Sequence, residues 1–232
     1  MKAKLCLGLT TLLASVAPPL FAANSPHAGR IAEAAAVLTE LHSAPDKDVP
    51  ADLWKKAECV AVIPSVKKAA FIVGGEYGKG VISCRRGAAW SAPSFVLLGK
   101  GSVGFQIGAQ SIDLVLLIMN DRGVNRLLED KVALGAEASI AAGPVGRDAR
   151  AMTDAQLKAE MLSYSRTQGL FAGIDLTGGV LKPDTDDNRD LYGREISSRE
   201  ILVSGTVIPP SVAAPFMRAL EKTSTTTTTA TN

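Results

Sequence analysis

Histidine and aromatic residues are scarce in this 232-residue chain, which has 2 histidines and an aromatic content of 5%. Both histidines, His27 and His42, fall in an N-terminal stretch with helical apolar spacing, which we expect to lie away from the predicted sheet. A Ser–His–acid triad needs a histidine beside its nucleophile, and no nucleophile-elbow pattern is present. We therefore predict a protein that is not an enzyme.

Excess charge is also missing, since the formal net charge of the chain is +2. Loss of Lys2 and Lys4 with an N-terminal leader would bring this value to 0. A neutral chain lacks the broad basic field that attracts proteins to nucleic acid, so we predict no nucleic-acid partner. Attraction to anionic lipid would have to come from a local patch.

Long apolar runs are absent as well, and the run from Leu5 to Ala17 is shorter than the roughly 20 residues of a bilayer span. Lys2 and Lys4 precede this run, and the small residues Ala22 and Ala23 follow it. This order is typical of a secretory signal peptide, and an uncleaved membrane anchor or a buried helix is the alternative. We predict a signal peptide over residues 1–23 and a periplasmic or secreted protein that is peripheral to a membrane.

Cysteine is limited to 3 residues, and export would leave Cys59 and Cys84 in an oxidising compartment. The two residues fall on neighbouring predicted strands, where a cross-strand disulfide is geometrically possible. Two buried free thiols are the alternative.

Alternating apolar residues dominate the middle of the chain and predict strands at residues 59–63, 69–73, 81–85, 95–98 and 103–119. Pro64-Ser65 and the glycine-rich residues 74–80 predict turns between them. Within the last of these strands the apolar face changes at Ser111, which predicts a bulge or a bend.

Shorter patterns complete the predicted fold. Helices are expected at residues 27–41, around Trp54, at 121–130, and after Ser197 and Pro209. Thr153 and Gln156 have the spacing of a capping box, which predicts a further short helix that ends near Met161. Further strands are expected at 132–142 and 170–176. The predicted class is α+β, with a strongly curved antiparallel sheet or barrel-like β core and several short flanking helices. We predict a single domain over residues 24–222 with an N-terminal helical segment, and a disordered threonine-rich tail over 223–232.

Several motifs together resemble the SYLF domain family. These motifs are Trp90-Ser91-Ala92-Pro93-Ser94, residues 104–110 (GFQIGAQ), residues 141–147 (AAGPVGR), Tyr164-Ser165-Arg166, residues 169–173 (GLFAG), Asn188-Arg189 and Tyr192-Gly193. The resemblance covers most of the chain from about Ala57 to Gly193. It implies lipid binding, and actin binding in a yeast actin-patch member. For an exported, bacterial-type chain we expect actin not to be a partner, and no protein partner is identified.

Three groups of residues place cations near an aromatic ring, as many membrane-surface proteins do. They are Trp54-Lys55-Lys56, Lys67-Lys68 near Phe71, and Arg85-Arg86 near Trp90. We predict that these six cations and Trp54 contact phospholipid or a membrane surface in the cell envelope. Surface cations beside core aromatics are the alternative for each group, and a structural or interaction protein of the periplasm is the alternative for the whole chain.

Residues 99–104 fit the G-x-G-x-x-G pattern of dinucleotide-binding proteins. That fingerprint needs a helix after the glycines, whereas the alternation here predicts a strand, so we predict no cofactor.

Residues from Asp184 to Glu195 have the oxygen-ligand spacing of a calcium loop, with Asp186, Asn188 and Asp190 between them. Arg189 occupies the position where glycine usually makes the sharp turn. A solvated acidic loop, in which Asn188 and Tyr192-Gly193 are structural, is the other interpretation. We assign no metal ligands from sequence.

Overall fold

The computed structural model describes residues 26–43, 49–70, 73–103, 108–146, 152–167 and 170–225. The predicted signal peptide, residues 104–107 of the glycine-rich motif and residues 226–232 of the predicted tail lie outside these ranges.

Seven α-helices and one short 3₁₀ helix are formed by the described residues. They are α1 (Pro26–His42), α2 (Ala51–Lys56), α3 (Asp121–Leu127), α4 (Asp154–Lys158), α5 (Thr185–Tyr192), α6 (Ser198–Val203), the 3₁₀ helix Ser211–Ala213, and α7 (Ala214–Thr225). Local capping explains several starts: Asn120, Thr153 and Ser197 each accept a hydrogen bond from a backbone N–H of the first turn. Thr153 and Gln156 complete the predicted capping box.

Ten strands of the described chain form one sheet. They are β1 (Cys59–Ala70), β2 (Val73–Arg86), β3 (Ala89–Trp90), β4 (Ser94–Val103), β5 (Gly108–Ile118), β6 (Val132–Ala133), β7 (Ile140–Ala142), β8 (Met161–Thr167), β9 (Leu170–Gly173) and β10 (Gly179–Pro183). The strand order is β6-β10-β4-β2-β1-β5-β8-β7, with β3 added to β2 and β9 to β8. All pairs are antiparallel except β7 with β8. The sheet curls into an open half-barrel, so the predicted α+β class is confirmed.

Hydrophobic cores cover both faces of this sheet. On one face Val115 and Leu117 of β5 pack with the apolar sides of α1, α2 and α7. On the other face Leu114 and Leu116 pack in a second core to which α3, α6 and β10 contribute. The continuous apolar run of β5 is therefore buried on both sides, which is why it carries no polar alternation.

A bulge in β1 replaces the turn predicted at Pro64-Ser65. Ile63 of β1 lies opposite Leu114 of β5 and Val66 lies opposite Ile112, so two residues of β1 face the single residue Asp113. The extra residue changes the face of everything after it, because side chains alternate with a period of two. The inserted residue lies in β1, whereas β5 pairs without an inserted residue of its own, so the bulge predicted at Ser111 is not found in β5.

Strand β2 runs straight through the glycines that predicted a second turn. A Cβ atom at Gly78 would approach Ile63 Cγ2 at 2.6 Å, and one at Gly80 would approach Ile63 Cγ1 at 2.6 Å. These glycines therefore allow close approach of β1 to β2 instead of reversing the chain.

Three further expectations differ from the structure. The predicted strand over 132–142 is broken at Gly135, whose φ of +86° favours glycine. Strand β8 begins at Met161, where we expected the end of a helix. Helix α7 continues to Thr225, into the segment predicted to be a disordered tail.

Candidate functional site

Five of the seven predicted lipid-contacting residues lie at one end of the sheet. Arg85 of β2 donates from Nη2 to the carbonyl oxygen of Trp54 at 3.2 Å and from Nε to that of Ala57 at 3.3 Å. These bonds hold the end of β2 beside the last turn of α2, which carries Lys55 and Lys56. Arg86 follows directly on β2.

The charges at this end face solvent, whereas the tryptophans do not. Lys55, Lys56 and Arg86 are exposed, and within the described ranges none of the three forms an ion pair. Trp54 and Trp90 are only 3% and 7% exposed and belong to the core. The Arg85 guanidinium lies 4.5 Å from the centroid of the Trp90 ring. We call Lys55, Lys56, Arg85 and Arg86 the cationic end.

Lys67 and Lys68 lie far from the cationic end, toward the opposite end of β1. Eight residues separate Cys59 from Lys67, which at a strand rise of about 3.3 Å per residue corresponds to roughly 25 Å. The side chain of Lys68 lies outside the described part of the structure. Lys67 is exposed and lines a cleft.

This cleft has a volume of about 440 Å³ and opens between the first half of α1, the bulge of β1 and the adjoining part of β2. Its charged and aromatic lining residues are Arg30, Glu33, Lys67, Tyr77 and Lys79. Tyr77 is 52% exposed, which is unusual for a tyrosine in the middle of a strand. Sequence reasoning found Lys67 but missed the other four, because they come from separate elements.

Arg30 and Lys79, at the inner side of the cleft, are already paired with acids of α5. Arg30 Nη1 lies 2.5 Å from Asp187 Oδ2, and Lys79 Nζ lies 2.9 Å from both Asp187 Oδ2 and Asp184 Oδ2. Burial alone would raise the pKa of Asp187, but the hydrogen bonds from Lys79 and Arg30 outweigh it and hold that pKa below its usual range. The hydrogen bond to Asp184 raises the pKa of Lys79. This charge network, Arg30–Asp187–Lys79–Asp184, joins α1 to β2 and α5.

Asp184 and Asp187 belong to helix α5 and its N-cap, where the sequence suggested a calcium loop. Asp184 is the N-cap of α5 and accepts from the backbone N–H of Asp187, so residues 185–192 form a helix and not a loop. Glu195, the would-be last ligand, binds Arg189 instead. In the described part of the chain no group of 3 or more His, Cys, Asp or Glu side chains could hold a metal ion. The calcium-loop interpretation is wrong.

The sequence motifs around Ser94 and Asn188 have a structural role. Asn188 is fully buried; its Oδ1 accepts from the backbone N–H of Phe95 at 2.7 Å, and its Nδ2 donates to Ser94 Oγ at 3.1 Å. The Tyr192 hydroxyl donates to the carbonyl oxygen of Pro93 at 2.6 Å. These bonds fasten α5 to the start of β4, and so fix the position of Asp184 and Asp187.

The two histidines lie in different surroundings. The His27 ring is 5.3 Å from the ring of Phe95 on β4, so our expectation that it lies away from the sheet is wrong. The His42 ring is 4.9 Å from that of Trp54, and burial lowers the pKa of His42 to about 4.

Cys59 of β1 and Cys84 of β2 are cross-strand partners and are joined by a disulfide with an S–S distance of 2.00 Å. Both residues are buried. The bond lies where β1 and β2 approach the cationic end.

The sequence model of the Ysc84 family, described as "Las17-binding protein actin regulator", matches residues 99–223. The chain belongs to the Ysc84 (SYLF) family. The matched segment includes β5, β8 and the α5 helix that pairs with Lys79 and Arg30. The predicted family is therefore confirmed.

Similar full-length proteins come from fungi and animals. An SH3 domain-containing protein of Schizosaccharomyces pombe is 42% identical over 163 residues, which is 68% of this chain and 38% of that protein. LAS seventeen-binding protein 3 of Saccharomyces cerevisiae is 34% identical over 180 residues, 76% of this chain and 39% of that protein. SH3 domain-containing YSC84-like protein 1 of Mus musculus is 35% identical over 178 residues, 76% of this chain and 52% of that protein. The chain thus spans between 38% and 52% of the lengths of these three relatives.

These names correct one expectation. We expected actin not to be a partner, but the family is described as an actin regulator and one Saccharomyces cerevisiae relative is named a LAS seventeen-binding protein. The comparisons therefore point toward actin and actin-associated proteins, and the exclusion of actin was wrong. The relatives are named as binding or regulatory proteins, which agrees with a non-enzymatic role.

Proposed function

We propose that this chain is a non-enzymatic binding module that attaches to anionic membrane surfaces through its cationic end. The observation that supports the proposal is that Lys55 and Lys56 lie exposed in the last turn of α2, that Arg86 is exposed at the adjoining end of β2, and that none of the three forms an ion pair with a described residue. A cation next to an anionic bilayer contributes about 1 kcal/mol of binding free energy, and this attraction decays within a Debye length. Lys55 and Lys56, with Arg86 at the same end of the sheet, would give reversible, salt-sensitive attachment.

Helix α2 presents Lys55 and Lys56 to solvent because its other side is apolar. Leu53 and Trp54 point into the core, while Lys55 and Lys56 occupy the last turn, where positive charge also complements the helix dipole. No helix within the described ranges combines the length and the apolar character needed to cross a bilayer. The mode that we propose is attachment at the surface, because Lys55 and Lys56 are exposed cations on α2.

Vesicle flotation tests this proposal. The protein should float with vesicles that contain phosphatidylglycerol and remain at the bottom with neutral phosphatidylcholine vesicles at low salt. Flotation should decrease as salt rises, because the attraction is electrostatic. Failure to float with anionic vesicles at low salt would exclude direct membrane attachment.

A protein partner is the second candidate function, and the family description favours it. If the domain carries the activity named in that description, the chain should co-sediment with actin filaments or bind the Las17 protein. A saturable co-sedimentation curve with purified filaments would support this candidate. If the chain does not co-sediment with filaments but still floats with anionic vesicles, only the membrane function is supported.

We also propose that the protein works in an oxidising compartment of the cell envelope. Support comes from the Cys59–Cys84 disulfide, since such bonds persist in exported proteins and are rare in the cytosol. The signal-peptide pattern in residues 1–23 agrees with this location. Fractionation of the native host should place the protein with the envelope.

A further inference from the structure

We propose that the cleft between α1 and the bulge of β1 binds a small zwitterionic ligand that carries an ammonium group and a phosphate. The cleft exposes one acid, one cation and one aromatic ring: Glu33, Lys67 and Tyr77. This site is separate from the cationic end, and the proposal does not depend on membrane attachment there.

Glu33 and Lys67 are the lining charges that remain available to a ligand. Both are exposed, and neither side chain forms an ion pair or a hydrogen bond with a described residue. Arg30 and Lys79 line the same cleft, but Asp187 and Asp184 already neutralise them. The cleft therefore offers one negative group from α1, Glu33, and one positive group from β1, Lys67.

The third wall supplies an aromatic surface. Tyr77 of β2 lies directly opposite Lys67 in the β1–β2 register, which places their Cβ atoms about 5 Å apart on the same face. An ammonium group held by Glu33 would also be attracted by the face of the Tyr77 ring. Lys67 can donate to the phosphate of the same ligand, because its ammonium group carries three donors.

Fixed backbone surrounds these groups. Ser65, at the rim, has a φ of +53° and donates its N–H to Asp113, so the bulge has a defined shape. The charge network holds α1 against β2 on the inner side. A site whose walls are held before binding loses little conformational entropy when a ligand enters.

Phosphoethanolamine compounds combine the two required groups, and the cleft volume of about 440 Å³ is within the range of small-molecule sites, about 300–1,000 Å³. A purely anionic ligand would satisfy Lys67 but would be repelled by Glu33. A purely cationic ligand would be attracted by Glu33 but repelled by Lys67. The charge pattern therefore selects for a zwitterion, present either as a free molecule or as the headgroup of phosphatidylethanolamine.

Isothermal titration calorimetry with glycerophosphoethanolamine tests the site directly, with glycerol phosphate and ethanolamine as single-charge probes. We expect glycerophosphoethanolamine to bind at least about 10-fold more tightly than either probe, since one charge-assisted hydrogen bond accounts for that factor. Glu33→Gln and Lys67→Gln should each weaken binding by about 10-fold. The matched exposed variants Asp130→Asn and Lys182→Gln should leave binding unchanged.

Absence of binding heat from glycerophosphoethanolamine, or equal binding by the wild type and the Glu33→Gln and Lys67→Gln variants, would overturn the proposal. Both residues are exposed, so the variants should fold, and equal urea midpoints would verify this. A Lys55→Gln/Lys56→Gln variant should bind the soluble probe as the wild type does, so this proposal and the membrane proposal fail separately. Once soluble binding is seen, stronger flotation on phosphatidylethanolamine than on phosphatidylcholine vesicles would identify the headgroup as the source, and equal flotation would identify a free molecule.

Discussion

The backbone N–H of Ser65 donates a hydrogen bond to Asp113 Oδ1 at 2.9 Å, which ties the bulge of β1 to the neighbouring strand β5. Asp113 Oδ2 accepts from Arg166 Nε on β8 at 2.8 Å, and Arg166 also pairs with Glu40 of α1. One carboxylate thus connects the rim of the cleft to two strands and, through Arg166, to the helix above it.

Replacement of Asp113 should therefore destabilise the fold. Asp113→Ala leaves the Ser65 N–H and the Arg166 guanidinium without their acceptor, and we expect the free energy of unfolding to fall by about 1–3 kcal/mol. Urea denaturation would measure this change. Asp130→Ala, an exposed acid with no such bonds, is the matched control, and equal losses in the two variants would show that Asp113 does not hold the bulge.

Lys79 should matter for stability because two acids of low exposure depend on it. The side chains of Asp184 and Asp187 are 6% and 13% exposed, and Lys79→Met would leave Asp184 without its cation. Since Lys79 itself is partly exposed, we expect a loss of about 1–3 kcal/mol, less than for a fully buried pair. Adding Asp184→Asn to Lys79→Met should recover part of the loss in a double-mutant cycle, whereas additive losses would mean that the two residues are not coupled.

His42 should make the stability depend on pH between about 4 and 6.5. Its pKa is about 4 in the folded protein and 6.5 in the unfolded chain, so across this window the unfolded chain binds a proton that the folded protein does not. The free energy of unfolding should therefore fall as pH falls from 6.5 to 4, by up to about 3 kcal/mol. Urea midpoints at several pH values would measure the slope.

His42→Phe provides the control for this pH dependence, because it removes the titrating group and keeps an aromatic ring beside Trp54. Asp187 acts in a different window: its pKa is lowered, so the stability that it contributes is present above its usual pKa and is lost only at more acidic pH. An unchanged slope between pH 4 and 6.5 in His42→Phe would assign the effect to other groups.

Local signals were sufficient for the elements that begin with a cap or an amphipathic pattern. Helix α1, the capping box at Thr153 and the Ser197 cap before α6 were all predicted, because each depends on residues within one or two turns. The turns predicted at Pro64-Ser65 and across residues 74–80 were wrong. Proline and glycine signal either a turn or a bulge, and only the register of β1 against β5 and β2 distinguishes the two.

Long-range contacts explain the remaining errors. The segment from Asp184 to Tyr192 was interpreted as a loop from the spacing of its acids, yet Asn188 is buried against Ser94 and Asp184 is paired with Lys79. In the same way Glu33 and Tyr77 carried no signal of a site, since only the β1–β2 register and the packing of α1 against these strands place them in one cleft with Lys67. The adjacent pairs of cations were visible in the sequence. The sequence did not show that Lys67 and Lys68 lie far from the cationic end.

Thiol counting tests the disulfide and the loss of the N-terminal segment together. Denatured, unreduced protein from the envelope should show no reactive thiol, because Cys59 and Cys84 are bonded and Cys6 would leave with the signal peptide. One thiol would indicate that Cys6 is retained. Two or more would contradict the disulfide.

The central claim, attachment through the cationic end, is tested most directly by the partition coefficient of the Lys55→Gln/Lys56→Gln variant on phosphatidylglycerol vesicles. At about 1 kcal/mol per lysine, the variant should bind roughly 30-fold more weakly than the wild type at low salt. Lys131→Gln/Lys182→Gln has the same net charge but changes exposed lysines elsewhere, and it should bind like the wild type. Equal partition coefficients for the wild type and the Lys55→Gln/Lys56→Gln variant would contradict the claim.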